Sequence, residues 1–170
     1  IDNRFISERV NQLRNWNIEF IQGDILDKKL IQKYCHDADV IHHLAGITQV
    51  PRTKSETTKL QDEKIKEVGT SGTQNILDVI SEKCKIIFPS THVVYEGIEE
   101  IKNDIKEDED TKPVLSYSSS KATNENQLKK SGKNFVILRL GSVYGYSTDS
   151  MRIDIMPNLF SKIASQDGTL

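Results

Sequence analysis

Apolar clusters alternate along the chain with longer amphipathic stretches. Ile18-Glu19-Phe20-Ile21 predicts a short strand closed by Gly23-Asp24. Asp27 to Cys35 predicts a short helix with Asp27 as its N-cap, because a side-chain carboxylate there can accept from the first free backbone N–H groups. Val40-Ile41-His42-His43-Leu44-Ala45 predicts a buried strand. Residues from about Glu56 to Ile80 read as helical and end in the apolar spacing Ile76, Leu77, Ile80. Lys85-Ile86-Ile87-Phe88 is the next strand. Tyr117 to Lys130 predicts a helix stopped by Gly132, Asn134 to Leu140 a strand, and Ile153 to Ala164 a last helix. Strands separated by helices, with near-continuous apolar strands, predict βαβ units and a parallel sheet covered on both faces, joined by right-handed crossovers.

Composition narrows the function classes. The chain has 170 residues, a length that suits one domain. There are 23 basic against 25 acidic side chains, and the net charge of −2 gives no electrostatic case for nucleic acid or an anionic membrane as partner. The two cysteines, Cys35 and Cys84, have neither a CxxC nor a His/Cys ligand spacing, so no metal is expected and reduced thiols in a cytoplasmic protein are the simplest reading. No apolar run approaches the ~20 residues of a membrane span. The first residue is Ile1, which reads as the start of a fragment or of a processed chain. Glu99 to Lys112 is a charge-rich loop, and His36, His42, His43 and His92 have no ligand spacing.

Candidate chemistry begins with Tyr117-Ser118-Ser119-Ser120-Lys121. Residues four apart on a helix share a face, so phenol and ammonium can meet one ligand. A phenol with an ordinary pKa of ~10 is a poor base at neutral pH, and a nearby cation favours its phenolate. The pair then suits proton exchange with a sugar hydroxyl or a carbonyl. By itself the spacing is also that of an ordinary solvated helix. Phe88-Pro89-Ser90-Thr91-His92-Val93-Val94-Tyr95 is a strand running into hydroxyl residues, with Thr91 placed 26 residues before Tyr117. A hydroxyl there sits where open α/β sheets bind ligands, or it caps a turn.

Together these stretches resemble the extended short-chain dehydrogenase/reductase family, the NAD-dependent nucleotide-sugar epimerases and dehydratases. Gly23-Asp24-Ile25 resembles that family's Gly-Asp-Ile/Leu, His43-Leu44-Ala45-Gly46 its "HLAA", and Val50-Pro51-Arg52-Thr53 its "SVPRS". Gly72-Thr73-Gln74-Asn75 resembles "GTxN", and Leu138-Arg139-Leu140-Gly141-Ser142-Val143-Tyr144-Gly145 resembles "LRxxNVYG". Ile1-Asp2-Asn3 resembles the end of the second strand, where a carboxylate selects NAD over NADP.

The resemblance implies a Rossmann-like, doubly wound parallel α/β sheet, incomplete at its N-terminus. It implies that a glycine-rich phosphate fingerprint precedes Asp2. Residues 1–145 would be part of the NAD-binding domain and 146–170 the start of a substrate-binding region. Thr91, Tyr117 and Lys121 are implied as catalytic. Asp2, Asn3, Asp24, Ile25, Leu44, Ala45, Gly46, Ser90, Tyr117, Lys121 and Gly141 are implied for NAD. Thr91, His92, Tyr117 and Ser142 are implied for a nucleotide-diphosphate sugar. A homodimer is implied for the complete enzyme, and epimerisation is favoured. A reductase or decarboxylase on the same scaffold, and a non-catalytic NAD-binding module, are the alternatives.

The sequence departs from the family in four places. Gly69 replaces an Asn, Ser142 replaces an Asn, and Glu96 interrupts a Tyr-Gly. His92 and Val93 stand where dehydratases carry an acidic pair, and Val93 cannot act as an acid. As a fragment without its first strand, the chain is expected to be marginally stable and inactive.

Overall fold

A computed structural model describes residues 10–47, 59–145, 153 and 155–166. The chain divides into two compact units, Gly23–Gly141 and a second formed by Ile1–Gln22 with Ser142–Leu170. In the second unit, α1 (residues 10–15) and α5 (Met156–Ser165) are helical. Pro157 lies in the first turn of α5, where its missing N–H leaves no intrahelical bond unmade. Gly145 N donates to Asn158 Oδ1 at 3.1 Å.

The larger unit runs α2 (Lys28–Cys35), β1 (Val40–His42), α3 (Lys59–Val79), β2 (Lys85–Thr91), a 3-10 helix (His92–Tyr95), α4 (Ser116–Lys130) and β3 (Asn134–Leu140). The three strands are parallel in the order β1-β2-β3. Register pairs Ile41 with Ile86 and Ile86 with Phe135, and Phe88 with Ile137, so these side chains share one sheet face. That face meets Ile76, Leu77 and Ile80 at the end of α3 and Leu128 of α4, with Ile31 and Cys35 of α2 packed alongside. Ile86, Phe88 and Leu128 are fully buried, and each is worth about 1.5–3 kcal/mol of transfer free energy.

The local reasons follow the sequence. Asp27 caps α2, its carboxylate accepting from Lys29 N and Leu30 N at 3.1 Å each. Gly132 follows α4 at φ +69°, a left-handed turn that ends the helix. Gly69 brings α3 close to α4: a Cβ there would overlap Ser120 Oγ, so no larger residue fits without a shift. Pro89 sits in the central strand two residues past Ile87, the last residue of β2 that pairs with β1 among the described residues, so its missing N–H falls beyond the paired stretch on that side.

The structure bears out the parallel α/β sheet, the strand Asn134–Leu140, the cap at Asp27 and helices over 59–79 and 116–130. The last helix begins at Met156 rather than Ile153. Two expectations are corrected. Ile18–Ile21 forms no strand; all three apolar residues are exposed, and among the described residues no neighbour offers it a ladder. The strand expected over Val40–Ala45 stops at His42, with Val40 and Leu44 exposed and His43 alone buried. Apolar character made both look like interior strands, but a strand exists only where a partner supplies hydrogen bonds. Asp2, Asn3, the Val50–Thr53 stretch and the expected start of the helix at Glu56 lie outside the described residues.

Candidate active site at the carboxyl edge of the sheet

Thr91 ends β2 and is buried. Its hydroxyl accepts from Val93 N at 3.3 Å, which starts the 3-10 helix. The strand-end hydroxyl is therefore also a cap. Val94 of that helix is fully buried, which fixes the turn to the core. His92 is exposed, with Nδ1 placed 3.1 Å from Leu140 O at the end of β3.

Tyr117 is the second residue of α4 and is half-buried; Lys121 follows one turn later. The Lys121 ammonium lies 5.9 Å from the Tyr117 ring centroid and 4.5 Å from that of Phe88. It donates to Pro89 O at 2.7 Å. That carbonyl lies beyond the stretch of β2 paired with β1, and among the described residues no strand claims it. Burial lowers the Lys121 pKa to about 8. The structure thus brings Lys121 to Tyr117 on one side and to the strand two residues before Thr91 on the other.

Behind this edge lies a buried polar layer. Ser90 donates to Glu125 Oε1 at 2.5 Å. Arg139 Nη2 donates to Glu125 Oε2 at 2.7 Å and Arg139 Nε to Oε1 at 3.0 Å, a two-pronged pair. Burial pushes the Glu125 carboxyl up, but the bonds from Arg139 and Ser90 outweigh it and hold the group below its ordinary range. Arg139 also donates through Nη1 to Tyr95 Oη and to Glu107 O. One guanidinium therefore ties together α4, the 3-10 helix and the charged loop.

A second layer joins α3 to β1. Asn124 Nδ2 donates to Thr73 Oγ1 at 2.9 Å, and Thr73 Oγ1 lies 2.8 Å from His43 Nε2. The His43 ring packs 5.3 Å from Phe88, and its buried Nδ1 has no hydrogen-bond partner among the described residues. Burial first, and the Lys121 charge second, lower the His43 pKa to about 4, so the ring is neutral. Asn75 Nδ2 reaches Ile25 O at 3.1 Å and Leu26 O at 3.3 Å, and Asp24 Oδ1 accepts from Leu26 N at 2.9 Å. Ile25 is half-buried against the core.

Leu44, Ala45 and Gly46 are exposed beyond β1, and a Cβ at Gly46 would meet nothing within 4 Å. Gly141 is exposed after β3; Ser142 is exposed and belongs to the second unit. Ser90, expected at the cofactor, is buried on Glu125. Sequence reasoning missed the Glu125–Arg139 pair, the His43–Thr73–Asn124 chain and the contacts of Glu96, which stood out only as a departure from the family pattern. A visible signal was Arg139 itself, a charge inside an otherwise apolar strand.

The chain is 32% identical to CDP-paratose 2-epimerase of Salmonella typhi over 76% of its own length and 44% of that protein. It is 26% identical to a 3beta-hydroxysteroid-dehydrogenase/decarboxylase of Arabidopsis thaliana, covering 78% of this chain and 24% of the relative. Among solved structures, UDP-glucuronic acid 4-epimerase of Bacillus cereus in complex with NAD matches with a TM-score of 0.72 at 26% identity, over 98% of this chain and 51% of that one. The chain thus spans between about a quarter and about half of the length of these relatives. Residues 2–169 match the NAD dependent epimerase/dehydratase family, and the chain belongs to that family.

Proposed function

We propose that this chain carries the acid/base centre of an NAD-dependent epimerase acting on a nucleotide-diphosphate sugar. The observation that carries the reading is the placement of Lys121, against the Tyr117 ring and on the carbonyl of Pro89, two residues before Thr91. The lining fits a dinucleotide. Exposed Leu44 to Gly46, just past β1, offer an apolar segment with open space at Gly46, and the Lys121 charge is felt at the adjoining His43. Asp24, Ile25, Leu44, Ala45, Gly46, Lys121 and Gly141 are assigned to NAD, with Ser90 behind them on Glu125 and with Asp2 and Asn3 at the adenosine ribose. When bound, NAD supplies a carbon that accepts and returns a hydride.

The chain's own residues handle the proton. The Lys121 cation favours the Tyr117 phenolate, which takes the proton of a sugar hydroxyl and later returns it. The Thr91 hydroxyl hydrogen-bonds the same oxygen. His92 and Ser142 are assigned to the substrate. Residues 1–145 are assigned to the cofactor domain and 146–170 to the start of the substrate region. The aliphatic side chain of Val93 supplies no proton, which favours epimerisation over dehydration.

The test is Tyr117→Phe in the complete enzyme, with calorimetric titration of NAD and turnover of UDP-glucose, UDP-glucuronic acid and CDP-linked hexoses. NAD affinity should stay nearly unchanged while turnover falls by ~10²–10⁴. Retention of most of the turnover would remove Tyr117 from the role of base.

A further inference from the structure

Glu96 follows the 3-10 helix and is exposed. Its Oε1 accepts from Val114 N at 2.8 Å and Leu115 N at 2.6 Å, and Ser118 Oγ donates to the same oxygen. Those partners surround the first turn of α4. The N-cap residue of that helix is Leu115, whose side chain has no oxygen to offer. A helix begun on leucine lacks the acceptor that Ser, Thr, Asp or Asn would provide, and its first N–H groups need one from elsewhere. Glu96, 18 residues before Val114, accepts from the N–H of the N-cap residue itself, Leu115, a donor shared with Ser118 Oγ at 3.2 Å, and from Val114 N just before it, and its charge suits the positive end of the helix.

The same carboxylate has a fixed origin. Thr91 starts the 3-10 helix and Glu96 ends it, with Val94 buried between them. Next to Glu96, Gly97 N donates to Lys112 O at 2.8 Å and Lys112 N to Val94 O at 2.8 Å, which returns the loop to this point. A Cβ at Gly97 would come within 2.6 Å of Lys112 O, so the two strands of the loop's neck are in close contact. One end of the connection is therefore anchored at Thr91 and the other at the turn that carries Tyr117.

We propose that Glu96 is a positioning residue that holds Tyr117 in register with Thr91 by capping α4 from the 3-10 helix. This rests on the assignment of Thr91 and Tyr117 made above. Catalysis between two groups on different elements depends on their spacing, and a misplacement of an ångström can cost about 100-fold in rate. The carboxylate fixes that spacing without touching the reacting atoms.

The experiment compares Glu96→Ala, Glu96→Gln, and Glu96→Ala combined with Leu115→Asp, in the complete enzyme. Hydrogen exchange of the amides at 114–118 is read by mass spectrometry, and kcat and KM are measured with NAD and UDP-glucuronic acid or whichever sugar of the panel turns over. Glu96→Ala should speed exchange about fivefold or more and lower kcat about 10- to 100-fold, with KM little changed. Glu96→Gln keeps an oxygen acceptor and should retain most of both. Leu115→Asp gives α4 its own N-cap, which accepts from the amides of residues 117 and 118, and should restore slow exchange at those two amides together with kcat. Unchanged exchange in Glu96→Ala overturns the proposal. So does faster exchange with undiminished kcat, or rescue of exchange by Leu115→Asp without rescue of kcat. If Glu96→Ala does not fold, Glu96→Gln and the doubly substituted protein still decide. If no sugar turns over in the unmodified enzyme, the functional assignment fails, and the exchange measurements decide separately whether Glu96 caps α4.

Discussion

Acid should loosen this fold through one buried histidine. His43 is 3% exposed, stacked near Phe88, bonded to Thr73 and faced by the Lys121 ammonium. Its pKa falls from an ordinary 6.5 to about 4, first through burial and then through that charge. In the unfolded chain the ring takes up a proton below pH 6.5, while the folded ring resists until about pH 4. Above pH 6.5 both forms are neutral and the native state suffers no penalty. As pH falls through that window the unfolded state binds more protons, and stability declines. The difference corresponds to a loss of about 3 kcal/mol between pH 6.5 and 4. A domain with a total of ~5–15 kcal/mol feels that strongly. The assay is urea unfolding followed by circular dichroism from pH 7.5 to 4, for the unmodified chain and for His43→Asn. Carboxylates titrate in the same window in both proteins, so the difference between the two curves isolates the imidazole. That difference should change by about 3 kcal/mol across the window. Parallel curves, or an NMR titration of the His43 ring near pH 6.5, would refute the reasoning.

Two further outcomes follow from the packing. Arg139→Met strands the buried Glu125 carboxylate and should cost about 3–5 kcal/mol in urea unfolding, most of it recovered when Glu125→Leu is added; no recovery would mean that the guanidinium acts through Tyr95 and the loop instead. Gly69→Asn forces α3 away from Ser120 of α4 and should lower stability by about 1–3 kcal/mol, partly relieved by Ser120→Ala; an unchanged Tm would show that the helices can separate freely at that point.

Residue spacing made some features visible and hid others. Asn134–Leu140 stood out as a near-continuous apolar run, and the long helix α3 by the apolar spacing of Ile76, Leu77 and Ile80 at its end. Tyr117 and Lys121 stood out because four residues on a helix make one face. The buried face of α4 is different: Ser118, Ser120, Asn124 and Glu125 lie inside, so the helix packs through polar groups and its hydrophobic pattern is weak. Glu125 reaches Arg139 across 14 residues and Ser90 across 35, and Glu96 reaches Ser118 across 22. Such bonds obey no period, since they depend on where the elements fold. Ile18–Ile21 failed for the opposite reason: its pattern was local, but a strand needs a neighbour.

The bond from Lys121 to Pro89 O bears on how tightly a ligand can be held. A free lysine side chain has four rotatable carbons, and stilling it costs about 1.5–2 kcal/mol of conformational entropy. Here the carbonyl of a proline and the ring of Phe88 already hold the ammonium. The freedom is lost when the chain folds, not when a ligand arrives. An ammonium carries three protons, and one on Pro89 leaves two for an incoming oxygen. Binding can therefore add contacts without first breaking one. Under the proposed assignment, affinity at this edge depends on a strand proline and a core phenylalanine, which decide where the cation waits.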